Sequence, residues 1–243
     1  MKLITLNIWG GQVKKPLLDF IKAQQEVDIF CFQEVYHNAP EKICTSAETK
    51  SLSIFSELHD LLPEHDAYFR PAVRNIYGLG TFIRKNIPVL REGDVTIHAN
   101  PEYTGSGPSH PRNMQWLECQ VQDTVYTIMN VHGLWNGMGK TDTPARIAQS
   151  QCIREFMDNI PFPKILCGDL NLRPDTESLR LIEENMRNQV LIHNIQSTRT
   201  SLYPKPEKYA DYIFTSPEIS VQKFAVLNDE VSDHSPLFLE FKL

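Results

Sequence analysis

The 243-residue sequence has no lysine/arginine run, no Cys-x-x-Cys pair, no low-complexity linker and no short-period repeat. Each absence narrows the field. With 24 Lys and Arg against 30 Asp and Glu, the formal charge is −6. A broad surface that tracks duplex phosphates is therefore not indicated, although a divalent cation can supply positive charge locally. Five cysteines, Cys31, Cys44, Cys119, Cys152 and Cys167, make an odd set. Three of them (Cys31, Cys119 and Cys167) fall inside apolar, strand-like runs, where cysteine behaves as a small buried hydrophobe. That usage fits a reducing compartment better than a disulfide framework. No apolar run reaches the roughly 20 residues of a membrane-spanning helix. The stretch Met1 to Asn7 is too short an apolar run for a signal peptide. The expectation is a cytoplasmic monomer without a membrane span.

What is present is a core-forming composition, 41% hydrophobic, with strand and helix patterns in alternation. Lys2–Leu6 reads as a strand, Lys15-Pro16 opens a helix over 16–25, and Asp28–Phe32 is a second strand. Strand, helix and strand in that order predict a parallel pair with a right-handed crossover. Thr45-Ser46-Ala47-Glu48 has capping-box spacing and predicts a helix over 45–62. Strands follow at 67–70, 80–84 and 89–97. The Pro- and Gly-rich stretch 98–112 reads as a long exposed loop of the kind that carries function. A hairpin of strands 114–121 and 125–131, a helix over 144–157 capped by Thr143, and a strand at 164–168 come next. Asp175 caps a helix over 175–187, and strands at 212–214, 221–227 and 237–241 close the chain. One α/β domain over 1–243, with two packed sheets and helices outside each, accommodates this order.

The most informative stretch is Gly168-Asp169-Leu170-Asn171, directly after the strand Ile165-Leu166-Cys167. In extended backbone, residues i and i+2 point the same way, about 7 Å apart, so Asp169 and Asn171 could converge on one ligand. The plain alternative is a Gly-Asp turn whose Asn caps loop backbone. Other strand ends repeat the pattern. Asn7, Glu34, His132 and Asp169 follow apolar strands, while Asp211 and Asp233-His234 precede strands. Each has an ordinary reading as a turn, cap or solvated residue. None of those readings explains why acids, amides and histidines recur at strand ends and never mid-strand. Carboxylates gathered on one sheet edge repel one another and lose hydration. A hard cation such as Mg²⁺, which takes one or two carboxylates plus waters and phosphate oxygens, is the natural compensator.

Taken together, Leu6-Asn7, Gln33-Glu34, Asn130-Val131-His132, Gly168-Asp169-Leu170-Asn171, Asp211-Tyr212-Ile213-Phe214 and Ser232-Asp233-His234 resemble the endonuclease/exonuclease/phosphatase superfamily, the DNase I-like fold. That resemblance implies a four-layer α/β/β/α sandwich and a metal-dependent phosphoesterase using Mg²⁺, with Mn²⁺ as a substitute. It implies Glu34 as metal ligand, supported by Asn7 and Asp233. Asp169 would act on the attacking water, Asn171 on the phosphoryl oxygen, His132 and His234 on the phosphate, and Asp211 on His234. Arg146 reads equally as a site residue or a solvated one, and Arg112 and Tyr103 are candidate substrate contacts. A two-metal calcineurin-like phosphatase would need a Gly-Asn-His motif, which is absent. The substrate is a phosphoester, either a small molecule or nucleic acid. Nuclease and tyrosyl-DNA phosphodiesterase-like activities, and a non-catalytic binding module on the same fold, are the alternatives.

Overall fold

The computed structural model describes residues 1–39, 51–105 and 107–243. In chain order the strands are β1 (Lys2–Asn7), β2 (Ile29–Tyr36), β3 (His65–Val73), β4 (Tyr77–Arg84), β5 (Val89–His98), β6 (Arg112–Val121), β7 (Thr124–His132), β8 (Lys164–Asp169), β9 (Arg187–Asn188), β10 (Asp211–Thr215), β11 (Ser220–Val226) and β12 (Leu237–Lys242). The helices are α1 (Lys14–Ala23), α2 (Ile54–Leu61), α3 (Pro144–Asp158), α4 (Glu177–Glu183) and the single turn α5 (Gln189–Ile192). Two six-stranded sheets form, ordered β11-β12-β1-β2-β4-β3 and β5-β6-β7-β8-β10-β9. The pairs β1–β2 and β7–β8 are parallel, and every other neighbouring pair is antiparallel.

Helices α1 and α2 cover the outer face of the first sheet. Leu17, Phe20, Ile54 and Leu58 pack there on Ile4, Leu6, Phe30 and Phe32. Helices α3 and α4 bring Ile153, Met157, Leu179 and Ile182 to the second sheet. The result is the four-layer α/β/β/α sandwich of the DNase I-like fold. No helix among the described residues is long and apolar enough to cross a membrane.

Strand periodicity of two decides which side chains meet between the sheets. The inward residues grade from apolar to polar toward one edge: Leu3, Thr5 and Asn7 on β1, and Ile29, Cys31 and Gln33 on β2. On the facing sheet the series are Ile128, Asn130 and His132 on β7, and Ile165, Cys167 and Asp169 on β8. The polar residues between the sheets bond mainly to one another, although Gln33 Oε1 is buried without a partner. Gln33 Nε2 donates to Asn130 Oδ1 at 2.7 Å and to Thr5 Oγ1 at 3.1 Å. Asn130 Nδ2 in turn reaches the carbonyls of Phe32 (3.1 Å) and Gly80 (3.3 Å). Buried amides of this kind cost about 1–3 kcal/mol each when a partner is lost.

Several expectations shift. Helix α2 starts at Ile54 rather than 45; the Thr45–Glu48 capping box lies outside the described residues. Helix α4 is shorter than 175–187 and is capped by Thr176, whose side chain accepts from Leu179 N, while Asp175 pairs with Arg173. Asn185, at φ 65°, turns the chain out of the helix, and Asn188 caps α5, which the apolar pattern did not reveal. The stretch 98–112 is not uniformly exposed, since Arg112 is buried as the first residue of β6. Cys31, Cys119 and Cys167 are buried, and these and Cys152 are free thiols.

Candidate active site

The polar edge of the sandwich opens into a cavity of about 270 Å³ lined, among others, by Glu34, Arg112, His132, Asp169, Asn171, Asp233 and His234. Each arrives by a distinct local device. Asn7, His132 and Asp169 are the last residues of β1, β7 and β8. Asp211 is the first residue of β10, paired opposite Asp169.

Glu34 does not end its strand, contrary to the expectation. β2 continues to Tyr36, and the register against β4 shifts between Phe32 and Val35. The two residues Gln33 and Glu34 lie opposite one, a β-bulge, and Glu34 adopts φ 59°. Strict alternation would send Glu34 to the helix-covered outer face. The bulge instead puts it beside Gln33 on the cavity side, and Val35 takes the outer position. Left-handed backbone at a non-glycine residue costs on the order of 1–3 kcal/mol and is characteristic of functional sites.

The opening motif also differs from a plain extended run. Asn171 has φ 53°, and its backbone N–H returns to Asp169 Oδ1 at 2.8 Å. The turn is present, and both side chains line the cavity. Gly168, at φ 136°, is required because a Cβ there would lie 2.1 Å from the Val131 carbonyl oxygen. That close approach brings β8 against β7 and sets Asp169 beside His132.

Around Asp169 the distances are short. Asn7 Nδ2 donates to Asp169 Oδ2 at 3.0 Å and to Glu34 Oε1 at 3.1 Å, while Asn7 Oδ1 accepts from Trp9 N. Asn7 thus holds two carboxylates through one amide nitrogen rather than turning its oxygen to the cavity. His132 Nε2 lies 3.7 Å from Asp169 Oδ2, and His234 Nε2 lies 3.6 Å from the same oxygen. His234 Nδ1 hydrogen-bonds Asp211 at 2.8 Å, and Thr198 Oγ1 donates to the same carboxylate at 3.1 Å. Ser232 Oγ donates to the Asn7 carbonyl and accepts from His234 N, tying the 232–234 loop to the end of β1. Arg199 pairs with Asp233 at 3.1 Å.

The charges are unequal in their settings. Burial is the largest single effect on His234 and lowers its pKa, but the Asp211 and Asp169 carboxylates with the Asp211 hydrogen bond leave the imidazole raised above its ordinary value. Burial, reinforced by Arg112, holds His132 well below the ordinary value, so it is neutral. Asp169 stays ionised despite burial because His234 stands beside it. Glu34 goes the other way: burial, with Asp233 and Asp169 adding like charge, pushes its carboxyl up against the Asn7 hydrogen bond. A half-buried carboxylate beside two others, with no Lys or Arg ion-pair partner among the described residues, is an oxygen-donor set that suits a hard divalent cation. Asp169, Asp211 and His234 also present ligand atoms within 4.8 Å of one another. The Asp211 hydrogen bond occupies His234 Nδ1, however, so that trio is better described as an oriented imidazole.

Two residues left open by the sequence separate cleanly. Arg146 is buried; its guanidinium donates to the carbonyls of Leu134 (3.2 Å) and Thr141 (2.6 Å) and does not line the cavity. It locks the 134–141 loop. Arg112 does line the cavity, and its Nε and Nη1 are buried with no hydrogen-bond partner. No carboxylate among the described residues lies within 4.0 Å of it. Tyr103 sits one layer out, against the His110 ring and beside Tyr77 in an adjoining hollow. Lys140, Arg199, Tyr203, Lys205 and Trp135 complete the opposite wall. Their sequence neighbourhoods are loops without periodicity, which gave no signal.

A four-layer sandwich whose inter-sheet edge gathers carboxylates, imidazoles and an unpaired arginine fits the class of hydrolases that act on phosphoester bonds, and the family match places the chain in it. The chain belongs to the Endonuclease/Exonuclease/phosphatase family, matched over residues 4–234, a family of metal-dependent enzymes. No curated protein sequence is significantly similar to it. Among solved structures, the endonuclease/exonuclease/phosphatase from Bacteroides vulgatus superposes with a TM-score of 0.75 at 21% identity, covering 100% of this chain and 98% of that one. A mannosyl-6-phosphatase from Bacteroides thetaiotaomicron gives 0.77 at 17% identity over 100% of both chains. D. rerio TDP2, in complex with a single-strand DNA product, gives 0.73 at 16%, covering 100% of this chain and 99% of that one. At these identities the likeness is one of fold.

Proposed function

We propose that the protein is a Mg²⁺-dependent hydrolase of small phosphate esters, working by in-line attack of water on phosphorus. The observation that carries this reading is that one ionised carboxylate, Asp169, faces both imidazole Nε2 atoms, at 3.7 and 3.6 Å, beside Glu34 and the unpaired Arg112. Mg²⁺, or Mn²⁺ in its place, would be held through Glu34 with support from Asp233, and would offset negative charge developing on the phosphoryl oxygens. Asn7 fixes the two carboxylates it bridges.

The remaining chemistry belongs to the chain's own groups. Asp169 accepts a hydrogen bond from the attacking water and takes its proton as the P–O bond forms. His234, kept charged and oriented by Asp211, donates from Nε2 to a phosphate oxygen. Arg112 and neutral His132 bind the phosphate from the other side. The free Asn171 amide hydrogen serves the same oxygen shell, with the amide's other contact made to the Gly133 carbonyl at 3.3 Å. The P–O bond to the ester oxygen breaks with its electron pair on that oxygen, which takes a proton from solvent water and leaves as the alcohol, and Asp169 returns its proton to solvent.

The formal charge of −6 and the absence of a lysine/arginine run favour a small phosphoester over a nucleic-acid strand. A panel of sugar phosphates, nucleotides, nitrophenyl phosphate, bis-nitrophenyl phosphate and nicked or abasic DNA, assayed with Mg²⁺ or Mn²⁺, tests the reading. Release from small esters that is lost in Glu34→Ala at low Mg²⁺ is expected. Turnover confined to DNA would contradict the substrate class, and metal-independent turnover would contradict the mechanism.

A further inference from the structure

The cavity wall opposite Arg112 contains more positive charge than the floor consumes. The cavity lining holds four Lys or Arg side chains against three carboxylates, in a chain whose overall charge is −6. One of the four, Arg199, pairs with Asp233 through one Nη, yet its Nε is buried without a partner. Lys140 is 2% exposed, and its ammonium donates to the Tyr209 carbonyl at 3.0 Å, which accounts for one of three N–H groups. Burial without a carboxylate partner pulls its pKa down to about 8. Lys205 is exposed, with its ammonium 5.3 Å from the Trp135 ring centre.

These cations are drawn together rather than dispersed. Arg199 and Lys140 both stand over the Tyr203 ring, at 4.0 and 5.5 Å from its centre. Like charges sharing one partly buried ring repel, and neither Lys140 nor Lys205 has an ion-pair partner among the described residues. Such an arrangement is stable when an anion completes it. The floor already has its own phosphate partners in Arg112, His234 and a divalent cation. A single phosphate there leaves the Lys140–Arg199–Lys205 wall unanswered.

We infer that this wall is a second anion subsite, and that the substrate is a small organophosphate carrying a second anionic group, phosphate or carboxylate, besides the ester that is cleaved. The inference rests on the proposed phosphoesterase reading and deepens it. A cleft of about 270 Å³ suits a compact dianionic molecule. The Tyr203 and Trp135 rings, beside Lys140 and Lys205, supply apolar surface for the carbon skeleton between the two anions.

The test compares phosphate release from hexose monophosphates with release from the matching hexose bisphosphates, and from a short 5′-phosphorylated oligonucleotide, in wild type, Lys205→Gln and Lys140→Gln. The readout is the ratio of kcat/KM for bisphosphate over monophosphate within each variant, which partial misfolding cannot change. The ratio should fall about tenfold in Lys205→Gln and further in Lys140→Gln, the scale of one lost charge-assisted contact. An unchanged ratio overturns the subsite, as does an equal loss on both substrates. A lysine-dependent gain seen only with the oligonucleotide overturns the small-molecule class. A second measurement does not need turnover: hexose bisphosphate should raise the thermal midpoint of wild type more than hexose monophosphate, and Lys205→Gln should erase the difference. If no substrate is hydrolysed but this protection is seen, the subsite stands and the proposed reaction fails. If hydrolysis occurs without it, the reaction stands and the subsite fails.

Discussion

The two sheets follow one strand plan and deliver different chemistry. Reading β11-β12-β1-β2-β4-β3 against β9-β10-β8-β7-β6-β5, each sheet has a central parallel pair flanked by antiparallel strands. On the first sheet the parallel pair presents Asn7 and Glu34; on the second it presents Asp169 and His132. The flanking strands answer each other as well. Asp211 opens β10 in one sheet, His234 lies just before β12 in the other, and they meet at 2.8 Å. The difference lies in how the edge is reached. β7 runs to His132 in unbroken register, whereas β2 needs a bulge with left-handed backbone to turn Glu34 inward. The first sheet therefore carries the strained, like-charged position that a cation would relieve, and the second carries Asp169 and His132, to which the proposed mechanism assigns the attacking water and the phosphate. Strain sits where a ligand is expected to offset it.

Three substitutions sharpen that contrast, in decreasing order of effect. Asp211→Asn, which weakens the bond joining the two sheets' flanks, should lower kcat by about 10–100-fold with little change in thermal midpoint, since it acts through the orientation and charge of His234. Steady-state phosphate release checks this; unaltered kcat would show that the Asp211–His234 bond plays no part. Asn130→Leu leaves Gln33 and the Thr81 hydroxyl without the partner they share between the sheets. It should destabilise by about 2 kcal/mol in denaturant unfolding, and no loss would mean that the polar rung is not structural. Glu34→Gly relieves both the left-handed backbone and the carboxylate repulsion. It should stabilise the metal-free protein by roughly 1 kcal/mol in denaturant unfolding. A lower melting temperature would show that the bulge is unstrained or that the carboxylate contributes to stability.

Much of this was legible in the sequence. Apolar runs located the β1, β2, β7 and β8 strands, and of the polar residues recurring at or near strand ends Glu34, His132, Asp169, Asp233 and His234 line one cavity, with Asn7 and Asp211 bonded to them. Two features could not be read. The Glu34 bulge depends on β2–β4 register, which is a pairing between strands distant in sequence. The cationic wall comes from Lys140, Arg199 and Lys205 on loops, where side-chain placement follows tertiary packing rather than periodicity. Arg146 and Arg112 illustrate the limit. Both are buried arginines near site motifs, and only the three-dimensional partners separate a loop lock from an unpaired cation in the cavity.

The central claim, that the first sheet holds the metal while the second sheet works on water, is tested most directly by one titration. Phosphate release by wild type, Glu34→Ala and Asp169→Asn is followed as Mg²⁺ is raised from micromolar to tens of millimolar. The account predicts that Glu34→Ala shifts the Mg²⁺ midpoint upward by about 10–100-fold and regains part of its rate at high metal. Asp169→Asn should keep its Mg²⁺ midpoint near that of wild type and lose about 10²–10⁴ in rate at every concentration. If the two variants exchange these behaviours, or if both are rescued by Mg²⁺ alike, the division of labour between the sheets is wrong.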